Sequence, residues 1–219
     1  MPTRSEAEEH LRVIRSLMEK ATIYRAVSAP SALVGGALAV ALAGLLNFLQ
    51  RDDSFVANPA WAYFTAPWLG VLAVTGAANS YFLWRDSRRR GDTFVSAGMR
   101  LAIRALLPAM LVSGVFTVFL CRMAELQAPL AGIWVLCYGL SLIATADFAP
   151  RSIALLGWAF LLTGLAVVVA ILGFEADVFS RPARSANLLM GSTFGFFHLI
   201  YAACTWPRKA FAGDTGGTP

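Results

Sequence analysis

The chain is predicted to be all-α: a polytopic membrane protein of six transmembrane helices, preceded by a short N-terminal amphipathic helix. Three observations carry this expectation. Of 219 residues, 58% are hydrophobic and 14% charged, with a mean hydropathy of +0.63, whereas a soluble domain carries about 25% charged residues. A bilayer core about 30 Å thick needs about 20 apolar helical residues, and uncharged stretches close to that length recur six times along the chain. The basic residues between those stretches are also sorted by side.

Residues 1–25 are read as a cytoplasmic amphipathic helix. Ser5-x-x-Glu8 has the form of a capping box, which satisfies free backbone N–H groups at a helix start. Leu11, Ile14, Leu17, Met18 and Ala21 then recur at helical spacing, with Glu9, Arg12, Arg15, Glu19 and Lys20 on the remaining face. This segment mixes acids and bases and has no apolar core followed by a small-residue cleavage site. It is therefore expected to stay on the chain and either lie in the inner headgroup layer or dock on a partner, the first being preferred.

The six-helix domain, 26–207, follows with spans at 26–50, 66–84, 105–121, 126–146, 152–174 and 185–207. Helices in lipid associate through close packing of small residues. Span one offers Gly35, Gly36, Ala39, Ala43 and Gly44, span two Gly76, Ala77 and Ala78, and span six Gly191 and Gly195. Ahead of span two, Asn58, Pro59, Trp61, Tyr63, Phe64 and Trp68 read as an interfacial entry. Span three is the shortest and reaches only about 25 Å at about 1.5 Å per residue. Arg104 can extend it by snorkelling, and Pro108 removes one helical hydrogen bond near its start. The polar, glycine-rich tail 208–219 is expected to be disordered.

Orientation follows from charge. An even span count puts the N-terminal segment, the 85–104 connection, the turn before Arg151 and the C-terminal tail on one side. That arrangement leaves only Arg51, Arg122, Arg181 and Arg184, of 18 basic residues, on the other. Basic residues collect in short cytoplasmic loops, so both ends are predicted to be cytoplasmic. The run RDSRRRGD is the strongest determinant. The net charge of +5 is accounted for by anionic lipid. The basic stretch lacks the interleaved aromatics of a nucleic-acid reader, so no direct nucleic-acid partner is expected. Arg12, Arg15, Arg88, Arg89 and Arg90 form the candidate surface for lipid or a partner.

The candidate functional residues within the spans are polar: Asn79, Asp147, Asn187, Ser192, His198 and Tyr201. Polar groups at depth are costly and should face the bundle interior. His198 is the one titratable group well inside a span, and a single interhelical hydrogen bond would account for it. Asp147 is expected to pair with Arg151 or face water. Cys121, Cys137 and Cys204 fit neither a metal knuckle nor a redox pair and read as packing residues. His10 is the only other histidine, so bis-histidine haem ligation is not expected. No nucleophile elbow or zinc-protease motif is present, and no Asp, Glu, Lys or Arg lies in the middle of a span. The expectation is a non-enzyme without cofactor or metal.

The segment LRVIRSLMEKATIYRAVSAPSALVGGALAVALAGLL resembles the start of a group of uncharacterised bacterial six-span integral membrane proteins, in which L-R-x-I-R-x-x-M-E-(R/K) leads into a small-residue first span. The end, STFGFFHLIYAACTWPRK, resembles theirs through F-G-x-x-H and a basic exit. Ala29-Pro30-Ser31 stands where that group has a glycine-rich turn. The resemblance implies a bacterial inner-membrane location and, from genes of that group lying beside a winged-helix regulator, a regulatory pairing. The function expected is a non-enzymatic membrane sensor or accessory subunit that engages a cytoplasmic protein, with self-association as a further expected contact. The alternative is a small transporter or channel with a polar path between spans two, four and six.

Overall fold

A computed structural model describes residues 8–13, 28–50, 60–91, 97–173 and 182–206. All regular structure among them is helical. Residues 8–13 are helical and exposed, and the rest of the predicted N-terminal helix, Arg15 included, lies outside the described residues, as does the tail 208–219. The long helices are α1 (Ala29–Leu49), α3 (Thr65–Arg90) after a single turn α2 (Ala60–Tyr63), α4 (Ala97–Leu120), α5 (Gln127–Ile143) and α6 (Arg151–Gly173). The last is continuous but composite: α7 (Pro182–Met190), a π-helical stretch (Gly191–Phe197) and α8 (His198–Thr205).

Five of these helices are long and apolar enough to cross a membrane: Ala29–Leu49, Met99–Leu120, Ala124–Ile143, Arg151–Ile171 and Pro182–Thr205. The predicted second span is also a helix, α3, with 26 residues. Thr65, Pro67, Thr75, Asn79 and Ser80 dilute its apolar part, and six of its residues, Arg85–Arg90, form a charged C-terminal extension.

That extension corrects the expected connection at 85–104. The helix does not stop where the apolar run stops; it continues through the arginines to Gly91, whose φ of 73° forms the left-handed C-cap. Arginine is a good helix former, so charge marks a membrane boundary without ending the helix, whereas a left-handed glycine does end it. The following helix likewise begins at Ala97 and carries Arg100 and Arg104 within it. At the same end of the bundle α1 is capped by Ser28, whose Oγ accepts from Ser31 N at 3.4 Å, with Pro30 in the first turn. A proline there forfeits only an N–H that has no helical partner.

Successive long helices run antiparallel. The start of α1 and the end of α3 meet around Ser28, Pro30, Phe82 and Arg85. The end of α1 and the start of α7 meet through Gln50 and Asn187. The most extensive pairing is α5 with α6, and glycines set it. A Cβ on Gly139 would run into the backbone of Leu161, and one on Gly164 would lie 2.7 Å from Leu136 N. On Gly157 it would lie 3.1 Å from Ile143 N, and on Gly132 3.1 Å from Val167. Glycines a heptad apart on each helix keep the seam facing its partner. The second tight seam joins α1 to the composite helix. Gly36 faces the Gly195 carbonyl, Gly195 faces Val40, and Gly191 faces Ala43.

Candidate functional site

Where the two seams meet, the interior is aromatic. Tyr138 on α5, Phe160 on α6 and Phe194 on the π-helical stretch pack with ring centroids 4.8 to 5.0 Å apart, and Phe197 lies 5.3 Å from Phe160. His198, the first residue of α8, stacks nearly parallel on Phe194 and lies edge-on to Phe160. Its Nδ1 lies 2.9 Å from the Phe194 carbonyl, and its Nε2 lies 2.9 Å from the Tyr138 hydroxyl. A carbonyl oxygen can only accept, so Nδ1 carries the proton. In the neutral ring Nε2 is then an acceptor, and Tyr138 donates to it. The interhelical bond expected for His198 thus has a partner that the sequence did not name.

The π-helical stretch positions this pair. Its wider turn lies beside Gly191 and Gly195, where the chain is pressed against α1 and no side chain fits. Ser192 and Thr193 both return their hydroxyls to the Leu189 carbonyl, at 3.0 and 2.7 Å. Such π segments in otherwise α-helical runs recur at functional sites.

A cavity of about 350 Å³ opens beside the aromatic cluster. One wall is α3, with Trp68, Leu69, Leu72 and Thr75; the facing wall is α4, with Met110, Ser113, Gly114 and Thr117. Gly35 and Ala39 of α1 form part of its floor, together with Trp134, Tyr138, Phe194 and His198. α3 and α4 make no substantial contact with each other, so the mouth is lateral. Trp134 Nε1 donates to Thr117 Oγ1 at 2.8 Å, and Thr117 donates to the Ser113 carbonyl at 2.8 Å. Thr75 Oγ1 is buried and has no hydrogen-bond partner.

A separate polar clasp closes one end of the bundle. Asn187, fully buried, accepts from Trp68 Nε1 at 2.9 Å and donates to Gln50 Oε1 at 3.1 Å. This corrects the interfacial reading of the entry aromatics. Trp61 and Tyr63 are exposed, but Phe64 and Trp68 are buried, because Phe64 stacks on Trp134 at 5.6 Å and the Trp68 N–H finds Asn187.

The other candidates are scattered. Tyr201 is buried on α8; Asn79 is half-buried on α3; Ser192 is exposed and bonded to its own helix. Asp147 is exposed in the turn after α5. Only His198 of these six lines the cavity. Arg12 is exposed and 3.8 Å from Glu9, Arg88 lies over the Trp84 ring at 4.9 Å, and Arg89 is exposed. Cys137 is buried, Cys121 half-buried and Cys204 exposed, all as free thiols.

Sequence reasoning placed Trp68 at the interface and missed Tyr138, Gln50 and Thr75, because a lone polar group in or beside an apolar run looks ordinary. The available signal was that Tyr138 and Trp134 sit in the middle of a span, where an O–H or N–H must find a partner. No family model, curated protein or solved structure matches the chain.

Proposed function

We propose that the protein is a non-enzymatic sensor or accessory subunit of a bacterial cytoplasmic membrane, spanning it six times with both ends inside. Its input is the lateral cavity and its output a cytoplasmic protein bound at the basic face. One observation carries this reading: a single helix, α3, bears a cavity wall at Trp68–Thr75 and the arginines Arg85–Arg90 at its far end. A continuous helix of this length measures about 39 Å at about 1.5 Å per residue, so displacement at one end moves the other. The same length, and its antiparallel packing on α1, support counting α3 as the sixth span. The end of α3 lies beside the start of α1, which fits the inner side expected from the basic residues.

The channel or transporter alternative has less support. Asn187 is engaged with Gln50 and Trp68 at one end of the bundle, His198 is engaged with Tyr138 inside it, and the aromatic cluster lies between α5, α6 and the last helix. Among the described residues no run of polar groups joins the two.

A photocrosslinking amino acid replacing Arg89 in living cells tests the output. A discrete protein adduct is expected, and it should disappear on charge reversal of Arg85 and Arg88. Recovery of lipid and chaperones alone would sink the reading, and so would reporter fusions that place Arg88–Arg90 outside the cell.

A further inference from the structure

The cavity between α3 and α4 differs from an ordinary lipid-facing groove in its walls, its size and its unused polar atoms. Its deep surface presents four aromatic rings, Trp68, Trp134, Tyr138 and Phe194, together with the His198 imidazole. Flat ring faces favour offset or edge-on contact with another ring over contact with a flexible chain. The volume of about 350 Å³ is roughly twice that of an apolar cavity of about 150 Å³ that takes up benzene, which is room for two fused rings.

The hydrogen-bond inventory narrows the class further. The Tyr138 proton is committed to His198 Nε2, so the Tyr138 oxygen offers only lone pairs to an occupant. The Trp134 N–H is committed to Thr117, and the Thr117 proton to Ser113. Thr75 Oγ1 is shut off from the cavity against Gly35, whereas the Ser113 hydroxyl, in the α4 wall, makes no hydrogen bond among the described residues. What is unused is therefore mainly acceptor capacity, plus one hydroxyl proton. An occupant carrying its own O–H meets these atoms, whereas one carrying only carbonyls finds a single donor, and a saturated chain uses none. The lateral mouth gives access from the hydrocarbon layer.

We propose that this cavity binds a lipophile of one or two aromatic rings bearing a hydroxyl, taken up sideways from the bilayer between α3 and α4. The proposal rests on the reading of the cavity as the input of a sensor. A chain-bearing membrane quinol and a free phenolic compound share this chemistry. A chain would trail through the mouth.

Calorimetric titration of the full-length protein in phospholipid nanodiscs, with empty nanodiscs subtracted, tests it. 1-Naphthol is expected to bind saturably at one site. Naphthalene and 1,4-naphthoquinone should bind about tenfold more weakly, the effect of roughly one hydrogen bond, and 1-decanol should show partitioning only. Ser113→Ala should weaken 1-naphthol several-fold and leave naphthalene unchanged, so that naphthalene reports an intact cavity. Gly114→Leu, at a position with no atom within 4 Å of an added Cβ, should block both. Equal affinity for 1-naphthol and naphthalene, saturable binding of 1-decanol, or no saturable binding by the wild-type protein would each overturn the proposal. A chain-bearing quinol in the organic extract of the purified protein would identify that source, and its absence would leave the free phenol. The titration needs no partner. Binding without an Arg89 adduct would keep the site and remove the sensor reading, and an adduct without binding would do the reverse.

Discussion

The α5–α6 pair and the α3–α4 pair are both antiparallel neighbours in sequence, yet the first is the tightest seam in the molecule and the second hardly touches. Glycine placement explains the difference. In α5 and α6, Gly132, Gly139, Gly157 and Gly164 each face the partner helix at a distance that excludes a side chain. In α3 and α4, Gly70, Gly76 and Gly114 have nothing within 4 Å of an added Cβ. Lipid is as apolar as a leucine side chain, so burying apolar surface does not hold helices together there; close backbone approach does. Similar glycine content, five in α5 and α6 and four in α3 and α4, thus gives a rigid pair in one place and an opening in another.

The largest expected effect comes from breaking the tight seam. Gly139→Ala and Gly164→Ala place a methyl group against backbone atoms that cannot rotate away. Each should cost about 3 kcal/mol, the upper part of the range for overpacking. The same change at Gly114 or Gly76 should be neutral or stabilise by up to about 1 kcal/mol, through the lower entropy of the unfolded chain. Unfolding in mixed detergent micelles, followed by circular dichroism, measures both sets. Equal losses at all four positions would show that the two pairs do not differ as described.

How much of this comparison could be read from sequence depends on the kind of signal. Five long apolar helices were legible because hydropathy is a property of each segment alone, and Gly36, Gly191 and Gly195 were recognisable as packing residues. The glycines of α5 and α6 lie among leucines and valines at heptad spacing, and only their partner helix reveals what they are for. Helix ends were misread at Arg85 and Ala105 for a physical reason: the bilayer boundary and the end of helical hydrogen bonding are different events, and charge reports only the first. The cavity was not legible at all, since it is the space left between α3 and α4, and no residue encodes it locally. Tyr138 and Thr75 matter because of what faces them across the bundle.

A second, smaller effect is expected where the tight half meets the cavity. Tyr138→Phe keeps the ring in the cluster but strips His198 Nε2 of its partner. An unpaired buried acceptor costs about 1 to 3 kcal/mol, and the low end applies because Nδ1 keeps its bond to Phe194. His198→Phe should be milder than Tyr138→Phe if the tyrosine hydroxyl can turn toward the cavity. The double variant should cost less than the sum of the two, since the remaining rings can repack without an orphaned polar atom. Additive losses would mean that the two residues do not act as a pair.

The smallest effect concerns what keeps α3 attached to the rest. Asn187 ties the start of α3 to the end of α1 and the start of α7 through Trp68 and Gln50. A hydrogen-bonded asparagine in a dry interior would seem indispensable, but interhelical hydrogen bonds in bilayers average about 0.6 kcal/mol, because separated helices also find partners for their polar groups. Asn187→Leu should therefore cost about 1 kcal/mol by the same unfolding measurement, well below the glycine variants. Its sharper consequence is local. With Trp68 released, the α3 wall loses the bond that fixes its outer turn, while the α5–α6 seam is untouched. Hydrogen exchange should then rise across residues 64–72 and stay unchanged across 132–164. A rise in both regions would mean that the clasp supports the whole bundle, and the contrast between a rigid pair and an independently mobile wall would fail.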